Sequence, residues 1–251
     1  IISRYLNTVE VSSTYIDARK YIKTDNTFGA AVVQFEQTNK NIESLRSLKS
    51  GVNMITGFIG SDMMSDRTTT LGRGGSDYTA AIFAAALNAD VLEIWTDVSG
   101  VLTSDPRKVK KAYTIPEMTY SEALEMSHFG AKVLYAPTIR PVRQKRIPTL
   151  IKNTFQPDHT GTLIHNNKTS KTNIITGLSS VVDISIISIQ GPGLQGVPGI
   201  ASRFFSCLAK GRINIIMITQ ASSEHSISVA IKSTGVASAK QLIEEEFEQE
   251  L

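Results

Sequence analysis

The chain has 251 residues, 41% of them hydrophobic and 20% charged, with a formal net charge of +3, a balance ordinary for a globular protein of one large domain or two modest ones. No basic stripe with interleaved aromatics occurs, which argues against a nucleic-acid partner; no apolar run approaches the roughly 18 residues of a membrane span, and no signal peptide is visible in the sequence. The single cysteine, Cys207, lies in an apolar stretch, so no disulfide framework exists, a reducing cytoplasmic setting is expected, and the residue reads as small core filler.

In chain order, Ile1-Ile-Ser-Arg-Tyr-Leu-Asn reads as the back half of a helix already under way, so the start is expected to be truncated. Residues 39–48 have helical spacing, with Ile42, Leu45 and Leu48 apolar. Residues 52–59 read as one buried strand entering a glycine-rich run, followed by a helix over 77–88 and a strand over 91–96. Helices near 120–129 and 137–143 lead into a strand at 149–153. Such alternation predicts an α/β fold with a mainly parallel sheet covered by helices, whose ligands collect at the carboxyl ends of the strands. The polar stretch 166–173 lacks apolar periodicity and marks the expected boundary, giving domains 1–165 and 166–251. Beyond it, strands at 181–189, 214–219 and 226–231 and helices at 200–210 and 237–247 match most of a ferredoxin-like unit without its fourth strand. The chain is therefore expected to be cut at both ends, and the acidic run 244–250 reads as a solvated helix face.

Three strings carry chemistry. Residues 68–78 place Gly72, Gly74, Gly75, Arg73 and Asp77 within a few positions. Glycines allow close backbone approach to a ligand, Ser76 can cap the following helix, whose N-terminus favours anions, and Arg73 can grip a carboxylate or phosphate with two hydrogen bonds. A plain glycine turn between strand and helix is the alternative for this run alone. Residues 95–107 put Thr96, Asp97, Asp105 and Arg107 in a turn-rich loop after a strand, and alone this reads as a strand and two turns. Residues 127–134 set Lys132 after a glycine in an apolar run, where a lone lysine usually snorkels. Taken together they suggest phosphoryl transfer, which needs a held nucleotide and cations for the transferring group. Lys132 can be that cation, Arg107 a nucleotide-phosphate clamp and Arg73 a clamp for a substrate carboxylate. Asp77 can orient the lysine, while Thr96 and Asp97 line the nucleotide pocket.

The strings Thr-Leu-Gly-Arg-Gly-Gly-Ser-Asp-Tyr (70–78), Trp-Thr-Asp-Val-x-Gly-Val-x-Thr-x-Asp-Pro-Arg (95–107) and Phe-Gly-Ala-Lys-Val-Leu (129–134) closely resemble the aspartate kinases. Residues 218–228 and 188–200 resemble the first regulatory ACT module of the bifunctional aspartokinase–homoserine dehydrogenases. The resemblance, which extends over nearly the whole chain, implies the amino-acid-kinase fold followed by an ACT module. It implies phosphorylation of the side-chain carboxylate of L-aspartate by ATP, towards threonine, lysine and methionine, with Mg2+ carried mainly on the ATP phosphates and no metal site of the protein's own. It places Arg73, Gly74 and Ser76 at the substrate, Asp77 and Lys132 among the catalytic groups, and Thr96, Asp97, Leu102, Asp105, Arg107 and Lys132 at the nucleotide. Asn214, Ile218, Gln220 and Ser223 would hold an amino-acid effector, most simply L-threonine. ACT modules imply pairing between subunits, and a following homoserine dehydrogenase domain would bring NADP.

Three features depart from the family. The Lys-Phe-Gly-Gly string with its catalytic lysine and a Gly-Glu element that helps hold aspartate are not in the sequence, and Leu102 stands where relatives often have a tyrosine. The chain by itself is therefore expected to be inactive. A non-catalytic ACT-containing regulatory subunit is the alternative, disfavoured by the amount of kinase sequence retained, Lys132 included.

Overall fold

A computed structural model describes residues 1–47, 51–128, 135–167, 175–191, 197–220 and 226–248. The chain forms two compact units, Ile1–Ser180 and Val181–Leu251. No helix among the described residues is long and apolar enough to cross a membrane.

The first unit runs α1 (Ile2–Thr8), β1 (Ser13–Ile16), β2 (Lys23–Thr24), α2 (Phe35–Glu43), β3 (Val52–Ile55), β4 (Ile59–Asp62), β5 (Thr68–Thr70) and α3 (Gly75–Leu87). It continues with β6 (Leu92–Thr96), β7 (Glu117–Thr119), α4 (Tyr120–His128), α5 (Ala136–Lys145), β8 (Thr149–Asn153) and β9 (Thr162–His165). Its strands form a β1-β3 pair, a β2-β4-β5 sheet and a β6-β8-β9-β7 sheet. Neighbours β1/β3, β2/β4, β6/β8 and β7/β9 are parallel, while β4/β5 and β8/β9 are antiparallel. Parallel pairing thus dominates, as the alternation of strands and helices predicts.

Alanine-rich α3 holds the unit together, because its small side chains let two cores approach it. Ala81 and Ala84 pack with Leu92, Ile94, Met118, Ile139, Val142, Ile151 and Ile164 of the four-stranded side. Ile82 and Phe83 pack with Ile16, Ile22, Ile42, Leu45 and Leu71 on the other. A helix apolar all round is a buried one. β6 shows the other pattern: Leu92 and Ile94 are buried, Glu93 and Trp95 exposed, as on a strand with one covered face.

Four expectations shift. The single strand expected over 52–59 is two, β3 and β4, broken at Thr56-Gly57-Phe58, where Phe58 has a left-handed φ of 75°. The helix expected over 39–48 starts earlier, at Phe35, and gives way to a 3-10 turn over Ser44–Ser47. Helix α3 begins at Gly75 with Gly74 at its N-cap in the left-handed conformation, and no side chain caps it. Ser76 therefore lies exposed in the first turn instead of capping it. The units divide at Ser180, past the polar stretch 166–173, because residues 176–180 are tied to the first unit. The Leu178 N–H donates to Thr103 O at 2.8 Å, Lys108 Nζ to Ser180 Oγ at 2.9 Å, and Thr176 Oγ1 to Glu122 Oε1 at 2.5 Å.

The second unit runs β10 (Ile184–Gln190), α6 (Ile200–Lys210), β11 (Ile215–Gln220), β12 (Ser226–Lys232) and α7 (Val236–Glu246), with antiparallel sheet order β10-β12-β11. Its helices cover one face: Phe204, Cys207, Leu208, Ala239, Ile243 and Phe247 close over Ile189, Ile227, Val229 and Ile231. Arg203 joins α6 to α7, with Nε at 2.9 Å from Glu246 Oε1 and its guanidinium 4.5 Å from the centre of the Phe247 ring. Cys207 is core filler, as expected from its neighbours.

Candidate active site

The glycine run packs as a knot of backbone. Leu71 N–H donates to Phe58 O at 2.9 Å, Gly75 N–H to Gly72 O at 3.1 Å, and Tyr78 N–H to Gly74 O at 2.9 Å. A methyl group on Gly74 would lie 2.7 Å from Tyr135 Cβ, and one on Gly75 would lie 2.7 Å from the Phe58 ring. With φ of 67° at Gly74, glycine is favoured there on backbone grounds as well. A methyl group on Gly57 would lie 3.2 Å from Ser76 Cα, and Phe58 N–H donates to Thr79 Oγ1 at 3.0 Å.

Arg73 projects from this knot, exposed, with no ion-pair partner among the described residues. Asp77, one turn into α3, is half-buried, and burial pushes its carboxyl above the usual carboxylate range. A carboxylate partly stripped of water, and without a partner among the described residues, favours a cation beside it. Lys132, the cation expected there, lies outside the described residues; Tyr135, the first described residue after it, is the one seated against Gly74. Phe58 and Tyr135 belong to this cluster and were not singled out from sequence. Gly57 within an apolar run was the available signal for the first, and a left-handed non-glycine residue such as Phe58 is the kind of strain that gathers at functional sites.

The second cluster forms at the carboxyl ends of β6 and β8, which run parallel with Thr96 beside Asn153. Thr154 N–H donates to Thr96 O at 2.8 Å, and Thr96 Oγ1 to Asp97 Oδ1 at 3.2 Å; Asp97 is exposed. Asn153 Nδ2 holds Ser99 Oγ at 2.8 Å. Leu102, half-buried, bridges to Thr114. Arg107 grips Asp105 in a fork, Nε to Oδ1 at 3.0 Å and Nη2 to Oδ2 at 2.7 Å, with its own N–H donating to Oδ1 at 2.9 Å. That guanidinium holds the Asp105 carboxyl down to about 2. Arg107 is thus anchored within its own loop, so a phosphate there would share it with Asp105. No hydrogen bond or ion pair joins the glycine knot to this loop among the described residues.

In the second unit Asn214 precedes β11, and Ile218 and Gln220 point the same way along it, both exposed. Among the described residues β11 is an edge strand, pairing with β12. Ser223 lies outside the described residues.

The amino acid kinase family model matches residues 1–153, and an ACT domain model matches residues 187–247. The chain is 39% identical over 236 residues to a bifunctional aspartokinase/homoserine dehydrogenase of Haemophilus influenzae, covering 94% of this chain and 29% of that protein. It is 36% identical over 231 residues to the lysine-sensitive aspartokinase 3 of Escherichia coli, covering 91% of this chain and 51% of that one. The crystal structure of E. coli aspartokinase III in complex with aspartate and ADP superposes with a TM-score of 0.82 at 34% identity, over 98% of this chain and 56% of that one. The chain thus spans about half or less of the length of these relatives. A family match that takes in the glycine knot, both ends of the loop after β6 and the whole of β8 leaves one assignment: the chain belongs to the amino acid kinase family, with an ACT domain behind the kinase part.

Proposed function

We propose that the protein phosphorylates the side-chain carboxylate of L-aspartate with ATP, giving 4-phospho-L-aspartate. The observation that carries this reading is the exposed guanidinium of Arg73, with no ion-pair partner among the described residues, on a glycine knot too tightly packed to admit side chains. The relative with aspartate and ADP bound supports it. The substrate carboxylate attacks the γ-phosphorus and ADP leaves, so the protein supplies no nucleophile; its work is positioning and charge stabilisation. Arg73, Gly74 and Ser76 receive aspartate. Thr96, Asp97, Leu102, Asp105 and Arg107 face the nucleotide, and Lys132, oriented by Asp77, meets the transferring charge. Magnesium is read as arriving on the ATP phosphates. The bifunctional relative supports a homoserine dehydrogenase domain in the intact protein; NADP enters only with that domain.

The test is aspartyl-hydroxamate formation by the intact gene product with ATP, magnesium and L-aspartate. Arg73→Ala is expected to raise the KM for aspartate about tenfold to a hundredfold, the worth of a charge-assisted hydrogen bond of about 1.5–3 kcal/mol. The KM for ATP should stay near its starting value, because the partner proposed for Arg73 is a carboxylate present in the ground state. Unchanged aspartate dependence with weakened ATP binding would reverse the two subsites.

For the second unit we propose an effector site at Asn214, Ile218, Gln220 and Ser223, with L-threonine as ligand and subunit pairing through the same module. A site that hydrogen-bonds the threonine hydroxyl rejects analogues lacking it. The lysine-sensitive relative favours lysine as the second reading. Gln220→Ala is expected to weaken threonine inhibition and leave uninhibited turnover alone. Inhibition curves with threonine and with lysine decide it: inhibition by lysine and not threonine gives the second reading, and unaltered sensitivity of the variant removes Gln220 from the site.

A further inference from the structure

Residues 102–114 make a closed excursion whose two ends meet. Ile115 N–H donates to Val101 O at 2.8 Å, Leu102 bridges Thr114, and Thr103 N–H donates to Tyr113 O at 2.9 Å. At the base of this neck sits Thr162, the first residue of β9, with no exposed surface. Its Oγ1 accepts the Val101 N–H at 2.8 Å and donates to Ile115 O at 2.6 Å. One hydroxyl therefore holds both ends of the loop and fixes them to the sheet. Gly100, with φ of 100°, passes directly over it: a methyl group there would overlap the Thr162 hydroxyl and lie 2.9 Å from the Thr162 nitrogen. The loop cannot seat elsewhere without breaking these contacts.

We infer that Thr162 is a positioning residue for the nucleotide: without touching it, the hydroxyl fixes the loop that presents Leu102, Asp105 and Arg107. This rests on reading residues 96–107 as the nucleotide side. The hydroxyl is the essential part. Valine has nearly the same shape but leaves a buried N–H and a buried carbonyl without partners, which loosens the neck or costs stability. The Ile115–Val101 and Thr103–Tyr113 bonds do not involve Thr162, so the loop keeps its neck and loses the two bonds by which the hydroxyl ties that neck to β9. Displacements of about 1 Å at such a site are enough to cost binding or rate.

The experiment titrates the intact gene product with Mg·ATP by calorimetry, alongside aspartate-dependent hydroxamate formation and a urea unfolding curve, for the unsubstituted protein, Thr162→Val and Thr162→Ser. Thr162→Val is expected to weaken ATP binding about tenfold or more, leaving the KM for aspartate unchanged, and Thr162→Ser is expected to restore ATP affinity. A purely structural residue would lower the unfolding midpoint and leave ATP affinity intact, and that result overturns the inference. So does an equal rise in both KM values, or a serine variant as weak as the valine one. If the unsubstituted protein binds ATP yet does not phosphorylate aspartate, the proposed function falls while the ATP titration still decides Thr162. If it binds no ATP, both fall.

Discussion

Gly161→Ala is expected to destabilise the first unit by about 2–5 kcal/mol, a large share of the roughly 5–15 kcal/mol that holds a domain folded. Gly161 immediately precedes β9 with φ of 73°, and a methyl group there would overlap the carbonyl oxygen of Ile151 on β8. Two penalties add: a left-handed conformation for a residue with a Cβ, about 1–2 kcal/mol, and overpacking against atoms that cannot rotate away, about 1–3 kcal/mol. The obstacle is backbone within a ladder, where Ile151 pairs with Thr162, so relief requires parting β8 from β9. The urea midpoint of the first-unit transition measures this, and a change below about 1 kcal/mol would mean that the β8–β9 junction is looser than described.

Lys132→Ala is expected to lower kcat about a hundredfold to a thousandfold, the usual loss when a preorganised charge aimed at the transition state is removed. The KM values should move far less, because charge on the transferring phosphoryl group changes most on the way to the transition state. Half-buried Asp77, its carboxyl pushed up by burial, gains most from a lysine beside it. The check is steady-state kinetics with both substrates varied, beside a far-UV spectrum matching the parent. A variant that raised the KM for ATP with kcat intact would make Lys132 a nucleotide-binding residue only.

Much of the architecture was legible where burial follows local pattern. β8 occupies the expected 149–153, since Thr149, Ile151 and Asn153 alternate with more exposed neighbours. The second unit's elements all lie near their expected bounds, because α6 and α7 each carry a single apolar face. The run 52–59 reads as one strand because Val52, Ile55 and Ile59 favour extended backbone, although Gly57 marks the place where it breaks. What bends it is Phe58, fixed by Thr79, 21 positions away. Ser76 was a reasonable cap by composition, but the left-handed turn at Gly74 starts the helix ahead of it. β9 is only four residues long, too short for periodicity to show. Its Thr162 reaches Val101 across 61 positions, and Asn153 reaches Ser99 across 54. No spacing rule carries such pairings. Arg107 was read as free for a ligand because sequence cannot show that Asp105, two residues away, already holds it.

The sulfur of Cys207 gives the second unit a built-in clock. It is the single cysteine of the chain, buried on α6, its thiol donating to Phe204 O at 3.1 Å and its pKa raised chiefly by burial. A thiol so placed is inert while the fold is closed. Reaction with a thiol-directed reagent therefore waits for α6 to lift from its sheet, and where labelling outpaces reclosing the rate at which absorbance appears is the rate of that opening. An amino acid bound at the effector site proposed on β11 is expected to slow that labelling.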